Sequence, residues 1–172
     1  IKKSLLTIVF PLFFSHVSNA QFGNYFAGSD AGLSNTGSNG TGVGYHALSN
    51  GNSGVGNTAL GSSALTTNTS GNLNSAIGAS ALYANTTGYK NVAFGVEALR
   101  LNTTGYESSA FGHQTLFNNN RSGNSAFGAS ALYSNTTGGD NNAFGYQGLY
   151  ANTTGEANCS FGSYGLRANT TG

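Results

Sequence analysis

Few residues in this chain are able to attack, ionise or ligate, and their spacing decides what they can do. After residue 20 the imidazoles are His46 and His113. They stand four repeat units apart, roughly 19 Å if units stack at sheet spacing. A nucleophile and its base must lie within hydrogen-bond reach, so this pair builds no catalytic centre. The carboxylates Asp30, Glu97, Glu107, Asp140 and Glu156 fall singly, and no pair is set for general acid and base work. Calcium-binding β-rolls repeat an Asp-containing nonapeptide, whereas Asp30 and Asp140 stand alone. Strings such as Gly42-Val43-Gly44 lack the strand-and-helix setting of a phosphate loop. Cys159 is the lone cysteine, which excludes an internal disulfide, and it is expected in a small interior slot held elsewhere by Ser or Val. The expectation is a protein without catalytic residues, metal or cofactor.

One recurring column does carry binding chemistry. Tyr83, Arg100, Phe117, Tyr133, Tyr150 and Arg167 recur at the same phase, each directly after a Leu. Such a ladder suits a glycan or protein ligand, because Tyr and Arg are enriched in contact surfaces. It equally suits mutual stacking and cation–π contact along the molecule, which is the favoured reading. The N-T-T-G strings at Asn85, Asn102, Asn135, Asn152 and Asn169 match glycosylation acceptors, although turn chemistry already accounts for them.

What positions these residues is a repeat. A Gly after an apolar residue recurs at Gly44, Gly61, Gly78, Gly95, Gly112, Gly128, Gly145 and Gly162, in steps of 17 residues with a single step of 16. Four residues after each Gly stands a Leu and, from Leu65 onward, three further on an Asn. The consensus is N-x-A-F-G-x-x-A-L-x-x-N-T-T-G plus two variable residues. Length changes fall in the turn from Asn118 to Gly123, with Gly123 displaced by one. Regular repetition at this period signals a stacked architecture.

The N-x-A-F-G stretch reads as a strand of about five residues. N-T-T-G reads as a turn, since Asn and Gly accept positive φ. G-x-x-A-L-x-x fits either a second short strand or a single helical turn, with the strand preferred. One unit alone cannot offset the entropy of ordering its backbone; stacking does so, with hydrogen bonds running from coil to coil. The fold expected is all-β, a β-solenoid (parallel β-roll) of 17-residue coils. Its interior columns are expected to be Ile77, Phe94, Phe111, Phe127, Phe144 and Phe161, with Leu82, Leu99, Leu116, Leu132, Leu149 and Leu166. Residues 44–172 form about eight repeats, and 21–43 a degenerate coil around Phe26, Gly28 and Leu33.

Residues 1–20 read as a secretory signal peptide, with Lys2 and Lys3, an apolar run from Leu5 to Phe14, and Ser18 and Ala20 before the cleavage point. The expected location is therefore outside the cell, secreted or on a bacterial surface. Charged residues make up only 6% of the chain, against about 25% in a typical soluble protein. Beyond the leader, four basic residues face five acidic ones, a net charge of −1. No basic patch exists for a nucleic-acid backbone or an anionic membrane.

At Ala76-Ile77-Gly78, Ala93-Phe94-Gly95, Ala110-Phe111-Gly112, Ala126-Phe127-Gly128 and Ala143-Phe144-Gly145 the chain resembles the head repeats of YadA-like trimeric autotransporter adhesins. Related repeats occur in fibre proteins that end in a self-cleaving chaperone domain. The resemblance covers about residues 40 to 172. It implies a left-handed roll, three chains side by side in a homotrimer or filament, and adhesion to a host or surface ligand. The family's usual coil is shorter and lacks a fixed N-T-T-G turn. A purely structural spacer is the alternative function, and an ice-binding solenoid, suggested by the recurrent Thr, a remoter one.

Overall fold

The computed structural model describes residues 23–172, so the expected leader at 1–20 lies outside the described residues. These residues form a β-solenoid with no helix. Its strands are β1 (Tyr25–Ala27), β2 (Thr41–Val43), β3 (Thr58–Leu60), β4 (Ser75–Ile77), β5 (Val92–Phe94), β6 (Ser109–Phe111), β7 (Ser125–Phe127), β8 (Asn142–Phe144) and β9 (Cys159–Phe161). They make one parallel sheet in chain order, and every strand is in register with the next, as in Ala93 beside Ala110 and Phe94 beside Phe111.

Each strand has only three residues, so its side chains alternate out, in, out. The middle position holds Ala59, Ala76, Ala93, Ala110, Ala126 and Ala143, all essentially fully buried. The opposite wall supplies Leu48, Leu65, Leu82, Leu99, Leu116, Leu132 and Leu149, also fully buried. The Leu half of the expected core is therefore interior, except Leu166 in the last coil, which is 51% exposed.

The Phe half is not interior. Phe94 is 51% exposed, Phe127 37% and Phe161 73%, while Ile77, Phe111 and Phe144 are part-exposed. The reason is parity and room. The third strand position points away from the lumen, and a lumen one Ala and one Leu wide has no space for a ring per coil. Parity also corrects the expectation for Cys159, which is exposed at the outward first position of β9.

The rest of the interior is amide. Asn52, Asn68, Asn85, Asn102, Asn119, Asn135 and Asn152 are buried, and each donates Nδ2 to the Oδ1 of the Asn one coil earlier, as Asn85 to Asn68 at 2.7 Å and Asn152 to Asn135 at 3.0 Å. A second column, including Asn57, Asn74, Asn91, Asn124 and Asn141, offers Oδ1 to the backbone N–H of the next coil, as Asn74 Oδ1 to Asn91 N at 3.0 Å. The turn glycine carbonyl accepts from both columns: Gly88 O takes Asn85 Nδ2 at 3.0 Å and Asn74 Nδ2 at 2.8 Å. Burying an amide is costly unless it is hydrogen-bonded, and these ladders meet that requirement. In the irregular coil the carbonyl of Arg121 takes this role, accepting from Asn119 at 2.7 Å. Gly123 is thus not a displaced turn glycine; it shares a positive-φ column with Lys90, Glu107 and Asp140.

G-x-x-A-L forms neither a second strand nor a helical turn. It is a run of turns in which the second and fourth residues after Gly take positive φ, as Ser80 at 56° and Leu82 at 50°. Ser80 N–H then donates back to Ser62 O at 2.9 Å, and Leu82 N–H forward to Ala98 O at 3.0 Å. The first coil varies the packing. Phe26 takes the Ala position and is buried, and Gly32 takes the Leu position, where a Cβ would strike the Phe26 ring. Leu33 falls one place later and is 59% exposed.

Candidate functional site

With the Asn amides and most backbone groups bonded from coil to coil, the chemistry left for a partner lies on the outer columns. The strand sheet exposes one of them. Its rings stack down the axis, with centroids 6.1 Å apart for Phe94–Phe111, 4.6 Å for Phe111–Phe127, and 4.9 Å for both Phe127–Phe144 and Phe144–Phe161. Leu60 and Ile77 extend this apolar stripe toward the N-terminal coils.

The structure brings together all six residues of the Tyr and Arg ladder. The Arg100 guanidinium lies 5.6 Å from both the Tyr83 and Phe117 rings. Phe117 stacks on Tyr133 at 5.1 Å and Tyr133 on Tyr150 at 5.3 Å, both nearly parallel, and Arg167 lies 5.6 Å from Tyr150. Glu97 braces the Arg end, 3.5 Å from Arg100 Nε and accepting from Gln114 Nε2 at 2.8 Å. Within both ladders the inner ring faces cover one another, and open faces remain only at the ends, as on Phe161. A sugar stacks on a ring face, so this geometry favours mutual stacking over glycan capture along the ladder.

Three groupings escaped the residue-by-residue search and follow from column phase. Asp30, His46 and Ser63 occupy the same position in successive coils. His46 Nε2 lies 3.6 Å from Asp30 Oδ2, beyond hydrogen-bond length, with both side chains more than a third exposed. No hydrogen bond joins His46 to Ser63 among the described residues, so the column lacks the geometry of a triad. Second, Tyr89 stacks on Tyr106 at 4.7 Å beside the Lys90–Glu107 ion pair at 3.0 Å, and the Glu107 hydrogen bond and charge hold Lys90 protonated to higher pH than usual. Third, the buried Asn columns withdraw Asn85, Asn102, Asn135 and Asn152 from any glycosylating enzyme in the folded state.

Among the described residues, two hollows bear on ligand binding. One of about 510 Å³ near Thr36 and Val55 has no charged or aromatic lining. The other, of about 350 Å³, lies where coil length changes and is lined by Tyr106, Arg121, Asp140 and Glu156 among others. Comparison with family models, curated proteins and solved structures yields no match to this chain.

Proposed function

We propose that the chain is a segment of a secreted or cell-surface fibre, structural and adhesive rather than catalytic, that associates side by side with copies of itself. The observation that carries this reading is the continuous apolar stripe from Leu60 to Phe161 on the outside of the sheet. Monomeric proteins seldom leave long contiguous apolar surfaces uncovered. A partner matching it along its length needs apolar groups at the same sheet spacing, which another copy of the same solenoid supplies. The leader-like N-terminus and the likeness to adhesin head repeats support export and a homotrimeric or filamentous arrangement.

The test is sedimentation velocity on the folded chain and on Phe127→Ser. Concentration-dependent association is expected, and it weakens in the variant while the chain stays folded, its stability falling only by the roughly 1–2 kcal/mol that ring stacking contributes. A monomer at high concentration would contradict side-by-side assembly and leave a solitary spacer. Adhesion itself is tested by binding of the purified fibre to host cells and matrix-coated surfaces. Ice binding gains little from the geometry. The exposed second Thr of the turns forms a column one residue wide (Thr87, Thr104, Thr137, Thr154), broken by Arg121.

A further inference from the structure

We infer that the notch beside Tyr106 is a saccharide subsite, shaped for one or two neutral or amino-bearing pyranose units. Tyr89 and Tyr106 stack in one outer column. Successive hydrogen bonds place Tyr106, Ser122 and Gly139 one above another: Gly123 N–H donates to Tyr106 O at 3.1 Å, Asp140 N–H to Ser122 O at 3.4 Å, and Ala157 N–H to Gly139 O at 3.0 Å. Tyr89 covers one face of the Tyr106 ring. The next two coils offer only Ser122 and Gly139 at this place, so the stack stops and the other face borders the hollow.

Glu156 lies on the far side, three coils from Tyr106 or roughly 14 Å. The volume of about 350 Å³ falls within the range of small-ligand sites. The hollow is also lined by Glu107 and Asp140, with Glu156 at its far end, and by Arg121, whose stem passes over Gly139. An open aromatic face with carboxylates and a guanidinium at its margin suits a pyranose. Its C–H face lies on the ring while its hydroxyls meet acceptors and a donor. Glu107 is already paired with Lys90, and the two remaining carboxylates against one guanidinium leave a net acidic margin that disfavours uronic or sialic acids. Arg121 already places a cation among the carboxylates, which weighs against a basic peptide. This subsite is independent of where the fibre is displayed, because it is read on purified protein.

Saturation-transfer NMR with cellotriose, a glucosamine trimer, a galacturonate trimer and tri-arginine tests the assignment on wild type, Tyr106→Ser and Gly139→Tyr. Both variants are tolerable, since Ser already occurs in this column and Gly139 has ordinary backbone angles. Though buried under the Arg121 stem, Gly139 has a Cβ position 3.4 Å from that flexible stem and 3.5 Å from the Ser122 carbonyl oxygen, both ordinary contact distances. The expected result is transfer to one face of the neutral or amino sugar, with dissociation constants on the order of millimolar. Binding should weaken about tenfold in Tyr106→Ser and vanish in Gly139→Tyr, both variants staying folded at the assay temperature, with Tyr106→Ser lowered in unfolding midpoint only by the lost stacking on Tyr89. Preference for galacturonate or tri-arginine, equal binding by the variants, or no transfer from any probe overturns it.

Discussion

At the scale of single residues, the fold depends on backbone conformations that side chains normally avoid. Besides the Gly that ends its strand, each regular coil places three residues at positive φ, two in G-x-x-A-L and one before the strand, as Glu97, Leu99 and Lys90 do near 55°. The left-handed region costs a side-chain-bearing residue about 1–2 kcal/mol. What offsets it is reach: alternating the backbone in this way sends one N–H to the coil before and the next to the coil after. Where no side-chain contact is at stake, glycine should therefore improve the fold. Ala157 is exposed with φ of 56°, and Ala157→Gly is expected to raise stability by about 0.5–1 kcal/mol in urea unfolding. A loss instead would mean the residue is unstrained. The buried amides give the opposite case. Asn102→Ala leaves Asn85 Oδ1 without its donor and Asn119 without one acceptor, at a cost of about 2–4 kcal/mol. Asn102→Asp should be worse at neutral pH, since burial raises the carboxyl pKa above its unfolded value. Its stability then falls as pH rises past about 4, where the unfolded chain releases its proton first.

At the scale of elements, each coil is a three-residue strand facing a turn-built wall, and the two walls differ in what they hold. Leu99 packs in the lumen, whereas Phe111 stacks between two rings on the outside. Leu99→Ala should cost about 2–5 kcal/mol and Phe111→Ala about 1–2 kcal/mol, measured as shifts in unfolding midpoint at constant m-value. The reverse ranking would put the rings inside. Much of the coil was legible in the sequence: the period, the Gly and Leu columns, the strand at A-F-G and the ladder after Leu. The ring column was legible as a column but not as an outer one. Size suggested burial, while a lumen narrowed by facing Ala and Leu admits no such ring. Asn85 and its equivalents read as turn formers because turn propensity is local, and their partners lie seventeen residues away. G-x-x-A-L carries no hydrophobic period for alternating backbone hands, so its residues are compatible with strand and helix alike.

At the scale of the whole molecule, the chain behaves as a one-dimensional stack in which each coil is satisfied mainly by its neighbours. Its outside is almost free of charge, lined by apolar and aromatic columns, and interrupted where Asn118 to Gly123 alters coil length. The ladders give length and cohesion, the Phe stripe a surface for a second copy, and the Tyr106 notch a place for a small ligand. All three depend on the internal amide columns being formed. The most direct measurement is hydrogen exchange of the Asn side-chain amides by NMR. If the stack exists, the Nδ2 protons of Asn85, Asn102 and Asn135 exchange at least about a thousandfold more slowly than those of a free asparagine, because opening requires unstacking of coils. Exchange of those protons at the free rate would contradict the account.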